Sequence, residues 1–197
     1  MELYIEVLGT VVGLIYLWQE YNASIYLWIT SIIMPAIYLY IYYNAGLYAD
    51  FGINVYYLII ALYGWLAWRY NFTIRGKAGN NKELTISHIK GHTAIKLTLI
   101  FLVSWGIIWF ILKLFTNSNV PISDSFTTAL GIIGMYMLAR KYIEQWWVWL
   151  IADLACSILY VYKELYFTAV LYFIYAIITI FGYRKWKQLM TNYANDI

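Results

Sequence analysis

The C-terminal third of this chain repeats its N-terminal third at a fixed offset of 118 residues. Leu47-Tyr48, Gly64-Trp65 and Trp68-Arg69 recur as Leu165-Tyr166, Gly182-Tyr183 and Trp186-Lys187. The same offset carries Gly13 onto Gly131, Trp28 onto Trp146, Tyr42 onto Tyr160, and the acid Glu6 onto the acid Asp124. A register held without insertion means that both copies fold as the same unit, and that anything between them is added to a duplicated frame.

Composition says where such a unit can live. Of 197 residues, 63% are hydrophobic and 12% charged, more apolar surface than a soluble domain of this size can hide. Seven apolar segments follow, approximately 3–18, 25–43, 51–68, 97–115, 126–139, 146–162 and 165–183. Most suit a bilayer crossing; the fifth is short and can start nearer Ser123. Helix is the expected form, because each backbone group must be satisfied within its own segment, and the runs lack the alternation of a barrel strand. Glu2 and Glu6 stand where a secretory signal would carry basic residues. The single cysteine, Cys156, excludes an intrachain disulfide.

The expected organisation is all-α and integral to the membrane. A three-helix repeat (1–68), a basic loop (69–96), a linker helix (97–115), a second three-helix repeat (124–186) and a tail (187–197) give seven transmembrane helices in a 3+1+3 order. One linker span makes the repeats parallel, as in the SWEET transporters. Eleven of the 13 basic residues fall on the side of the 69–96 loop, Arg140-Lys141 and the tail; only Lys113 and Lys163 fall opposite. That places the N-terminus outside and the C-terminus in the cytoplasm. The basic loop suits an anionic leaflet rather than nucleic acid. His88 and His92 read as a solvated pair with no carboxylate at hand, so no metal site is expected. No phosphate-cradling glycine loop is present, and no cofactor is implied. The repeated Gly64 and Gly182 read as close helix contacts, and Trp65, Trp68 and Trp186 as packing or interface-belt residues.

Polar groups inside apolar spans are costly and mark function. Trp146, Trp149, Asp153, Ser157 and Tyr160 follow at steps of three and four, placing two indoles, a carboxylate, a hydroxyl and a phenol on one helical stripe. A flat cationic ring would stack on the indoles while the carboxylate supplies charge. The competing reading has Asp153 satisfied across the bundle and the indoles anchored at the interface. Asn54 lies on a face with Asp50 and Tyr57, and its repeat partner is Tyr172. Thr128 shares a face with Asp124, Thr127 and Gly131, and Gln145 precedes the tryptophan stripe. Glu6 and Asp124 read as helix N-caps.

The stretches LYADFGINVYYLIIALYGWLAW from Leu47 and ARKYIEQWWVWLIADLACSILYVYKELYFTAVLYFIYAIITIFGY from Ala139 resemble the Pnu family of bacterial vitamin transporters. The family's W-x-x-W motif stands here as Trp146 and Trp149, and its LY…YGW…W signature as Leu47, Tyr48, Tyr63, Gly64, Trp65 and Trp68. The resemblance implies an inner-membrane homotrimer that carries an unphosphorylated vitamin precursor by facilitated diffusion. It also implies trapping by a cytoplasmic kinase without stable binding, and a substrate seated between the repeats. Asn54, Gln145 and Asp153 depart from the residues common in the nicotinamide riboside carriers. Nicotinamide riboside comes first as substrate and thiamine second; riboflavin, or a membrane receptor without transport, stands behind them. A membrane enzyme would need more than one Asp and a lone Cys.

Overall fold

The computed structural model describes residues 2–44, 48–71, 84–116 and 119–195, and the side chains of residues 2–10, 34, 41, 42, 48–50 and 193–195 lie outside it as well. Seven α-helices occupy the described residues: α1 (Glu2–Tyr21), α2 (Leu27–Asn44), α3 (Tyr48–Tyr70), α4 (Gly91–Phe115), α5 (Pro121–Ala139), α6 (Gln145–Tyr162) and α7 (Tyr166–Asn195). Five are long and apolar enough to cross a membrane: α3 from Phe51, α4, α5, α6, and α7 as far as Asn192. The apolar stretch of α2, Leu27–Tyr40, is shorter. The chain divides into two compact units, Met1–Thr85 and Ile86–Ala194, the first holding α1–α3 and the second α4–α7.

Within each unit the sequence repeat is a repeat of backbone geometry. The α1–α2 turn closes with Ser24 N–H on the Gln19 carbonyl at 2.9 Å and Ala23 N–H on Glu20 at 2.9 Å. The α5–α6 turn closes with Tyr142 N–H on Met137 at 3.0 Å and Lys141 N–H on Leu138 at 2.9 Å. Each bond moves onto the other by adding 118 to both partners. The pattern is the two-bond helix stop that satisfies the last carbonyls and needs a left-handed residue after the helix. Ala23 (φ 49°) and Lys141 (φ 51°) are those residues, although neither is glycine.

The same offset governs the packing. In the first unit Trp28 packs against Gly64 and meets Trp68 edge-on, ring centroids 5.5 Å apart. In the second, Trp146 packs against Gly182 and meets Trp186 edge-on at 5.7 Å. All four tryptophans are fully buried. Trp68 and Trp186 are therefore packing residues, not interface-belt residues; Trp65, more than a third exposed, keeps the character of a belt residue.

Several boundaries differ from the sequence reading. The described part of the tail is helical: α7 continues to Asn195, since neither Gly nor Pro interrupts the residues after Gly182. α5 starts at Pro121, which supplies a fixed φ at the first helical position. Asp124 does not cap it; its carboxylate pairs with Lys163 at 2.8 Å. The Glu6 side chain lies outside the described residues. α2 runs through Pro35 without a break.

The end of the basic loop is structured. Ser87 pairs with the α5–α6 turn, donating to Lys141 O and accepting from Ile143 N–H, both at 3.1 Å. Glu144 completes the clasp, taking Ile89 N–H at 3.0 Å and His88 Nδ1 at 2.6 Å. His88 thus has a carboxylate partner, and His92 sits in the first turn of α4. Among the described residues no cluster of three metal-ligating groups forms.

Two outcomes follow from this packing. An added methyl at either glycine runs into its tryptophan, so Gly64→Ala and Gly182→Ala should each cost about 1–3 kcal/mol. Thermal unfolding in detergent measures the loss, and unchanged midpoints would contradict the contact. Glu144→Ala removes both acceptors of the clasp, and hydrogen exchange at Ile89 should accelerate.

Candidate functional site

Hydroxyl groups inside the spans are mostly satisfied locally, which narrows the candidates. Thr128 donates to the Asp124 carbonyl one turn back at 2.7 Å, and Ser31 to Leu27 at 2.8 Å. Ser157 donates across to the Ala169 carbonyl of α7 at 2.9 Å, tying α6 to α7. These hydroxyls serve as donors within the scaffold.

Trp149 is different. It is half-buried, its indole N–H donates to Gln145 Oε1 at 2.6 Å, and its ring lies over Gly134 of α5. A Cβ at Gly134 would stand 3.0 Å from the ring. Gln145 is fully buried, and its amide nitrogen has no partner among the described residues. One turn beyond Trp149, Asp153 is half-buried and lies near enough to Tyr172 and Tyr175 of α7 for its charge to act on both phenols. No cation stands near its carboxylate among the described residues. Tyr172 closes the cluster through Tyr160, ring centroids 5.2 Å apart, and through Tyr175 at 5.7 Å.

The second unit thus brings together Gln145, Trp149, Asp153, Tyr160 and Tyr172. Trp146 is not among them: it is 1% exposed, and its ring is spent on Gly182 and Trp186. Spacing puts Trp146 and Trp149 on one stripe, but only packing separates the ring that is enclosed from the ring that is half-open. Asn54 and Tyr57 lie half-buried on α3 of the first unit, where Tyr57 meets Tyr56 at 5.6 Å.

Two residues escaped the sequence reading. Tyr175 could have been found, because it is the repeat partner of Tyr57. Gly134 could not be found by identity, because its partner is Tyr16. In the first unit Tyr16 hydrogen-bonds Ser31; in the second the equivalent pair is Gly134 and Trp149. The bulky aromatic has moved from α1 in the first unit to α6, the copy of α2, in the second, and the small residue has moved the other way.

Fold and site together define a polytopic helical membrane protein with a duplicated core and an aromatic–carboxylate cluster in one copy. The family model described as nicotinamide mononucleotide transporter matches residues 3–188, and the chain belongs to that family. The nicotinamide riboside transporter PnuC of Escherichia coli K12 is 24% identical over 93% of this chain and 84% of its own length. The riboflavin/roseoflavin transporter RibM of Streptomyces davaonensis is 25% identical over 92% and 83%. The crystal structure of the vitamin B3 transporter PnuC shares the fold, with a TM-score of 0.66 and 19% identity over 93% of this chain and 80% of that one.

A methyl at Gly134 must displace a ring held at its other end by Gln145. Gly134→Ala should therefore disturb Trp149 while leaving Trp146 in place. Tryptophan phosphorescence or indole NMR of selectively labelled protein should show one perturbed ring; several perturbed rings would mean a general loss of packing.

Proposed function

We propose that this chain is a vitamin-uptake carrier, moving an unphosphorylated precursor across the bacterial inner membrane by facilitated diffusion, with nicotinamide riboside as the first substrate. Family membership and the names of its relatives support the transport reading. The observation that carries the substrate class is the Asp153 carboxylate, half-buried one turn from Trp149 and near the α7 phenols, with no cation near it among the described residues. A flat cationic ring gains from both stacking and charge there. A phosphorylated form loses: two like unit charges about 6 Å apart at an effective dielectric of about 20 repel by roughly 3 kcal/mol. Thiamine, also a flat cation, is the second reading. Riboflavin is neutral and draws nothing from Asp153, so it stands third despite the RibM relationship.

In this reading Trp149 stacks on the substrate, Asp153 supplies the charge, and Tyr160, Tyr172 and Gln145 shape and orient the cluster. Thr128, Ser157 and Trp146 hold the scaffold, and Asn54 and Tyr57 are the further candidates on α3. The helices form a 3+1+3 arrangement with the N-terminus outside. α4 packs on α5 through one side and leaves Leu102, Val103, Ile107 and Phe110 exposed, an open apolar face that supports a homotrimer. Transport needs no enzymatic step in the carrier; a cytoplasmic kinase makes uptake one-way without binding it.

Calorimetry on purified protein with nicotinamide riboside, thiamine, riboflavin and nicotinamide mononucleotide tests the assignment. The riboside should bind tightest and the mononucleotide roughly 100-fold more weakly, the factor expected from that repulsion. Trp149→Ala and Asp153→Asn should each weaken riboside binding at least tenfold, and Asp153→Asn should narrow the gap to the mononucleotide. Thiamine binding more tightly than the riboside would reassign the substrate.

A further inference from the structure

A second pocket of the second unit plays no part in that site. Where α6 begins and α7 leaves its most apolar stretch, a cavity of about 340 Å³ opens between the two helices. Its two ends differ in chemistry. Arg184 and Lys187, nearly one turn apart on α7, line one end. Beside them the Trp147 and Tyr183 rings meet with centroids 5.0 Å apart. Leu150 and Ile180, about one turn further along their helices, line the other end. No acidic residue lines the cavity, and neither cation forms a salt bridge among the described residues.

The duplicated frame does not dictate this arrangement. At the repeat offset the first unit keeps Arg69 for Lys187 and Trp65 for Tyr183, but it has Ile29 for Trp147 and Leu66 for Arg184. The paired cations and the paired rings belong to the second unit alone. A cationic, aromatic-rimmed end above an apolar slot is complementary to a molecule with phosphate at one end and hydrocarbon at the other. Aromatic rings and basic residues are the groups that collect at the headgroup level of an anionic leaflet. We propose that this pocket binds an anionic phospholipid, its phosphate at Arg184 and Lys187 and the start of an acyl chain over Leu150 and Ile180. The proposal does not depend on which vitamin is carried, since it requires only that α6 and α7 lie in the bilayer.

Native mass spectrometry of the full-length protein, titrated in detergent with phosphatidylglycerol or phosphatidylcholine, tests it. Phosphatidylglycerol should half-saturate at a concentration at least tenfold lower. The double variant Arg184→Gln/Lys187→Gln should weaken phosphatidylglycerol roughly 25-fold, about fivefold per cation, with phosphatidylcholine unchanged. Leu150→Trp, which fills the slot and leaves the cations in place, should weaken phosphatidylglycerol as well. Retention of phosphatidylglycerol by the double variant would overturn the proposal. So would its displacement by millimolar glycerol 3-phosphate, which would make the pocket a site for a soluble phosphate.

Discussion

Helices inside a bilayer gain little from expelling water, because the lipid tails around them are as apolar as their own side chains. Close contact must draw them together instead, and small residues let helices approach. Here the largest side chain meets the smallest, twice: Trp28 on Gly64 and Trp146 on Gly182. The first contact ties α2 to α3 and the second α6 to α7, and a second tryptophan closes each edge-on. The position of α6 against α7 rests on this contact, as does the direction taken by the next turn of α6. Trp149 and Asp153 sit on that turn and the one after it. Scaffold and proposed site are thus successive turns of one helix, the first enclosed and the later ones half-open.

What the sequence made legible is whatever the two copies share. Gly64 and Gly182 stand at identical offsets, so close helix contact is legible at both, although the tryptophans that fill it are not. The helix-stop turns also recur bond for bond, but through Ala23 and Lys141 rather than glycine, so composition gave no sign of them. The clasp of Glu144 on His88 was hidden for another reason. Its partners are 56 residues apart, and only the fold of the α5–α6 turn brings them together. Spacing along α6 could place Trp146 and Trp149 on one stripe but could not rank them. Their difference lies in what α5 and α7 present: Gly182 and Trp186 enclose the first, while Gly134 lets the second lie across it.

The copies differ by exchange as well as by loss. Tyr16 with Ser31 in one unit becomes Gly134 with Trp149 in the other, so each pair keeps one large and one small partner between the same two helices. A packed interface tolerates such a swap better than two large or two small residues would allow, because total volume is roughly kept. The exchange moves an aromatic face from the position of α1 to that of α6, where Asp153 is one turn away. A symmetric frame thereby acquires an asymmetric aromatic–carboxylate cluster without losing its packing.

Charge is divided along α6 and α7 in the same spirit. The carboxylate lies within the span, and two cations without a salt bridge among the described residues lie at the end of α7's apolar stretch. A carrier that relies on phosphorylation to keep its cargo must reject the phosphorylated form while accepting its precursor, although the two share the same flat ring. Stacking alone cannot separate them, because the ring is unchanged. An acidic group beside the ring can, since it adds attraction for the cation and repulsion for the phosphate at one point. In the proposed mechanism the selectivity that keeps transport one-way comes from the sign of the charge at Asp153, and the aromatic cluster around it sets which rings fit.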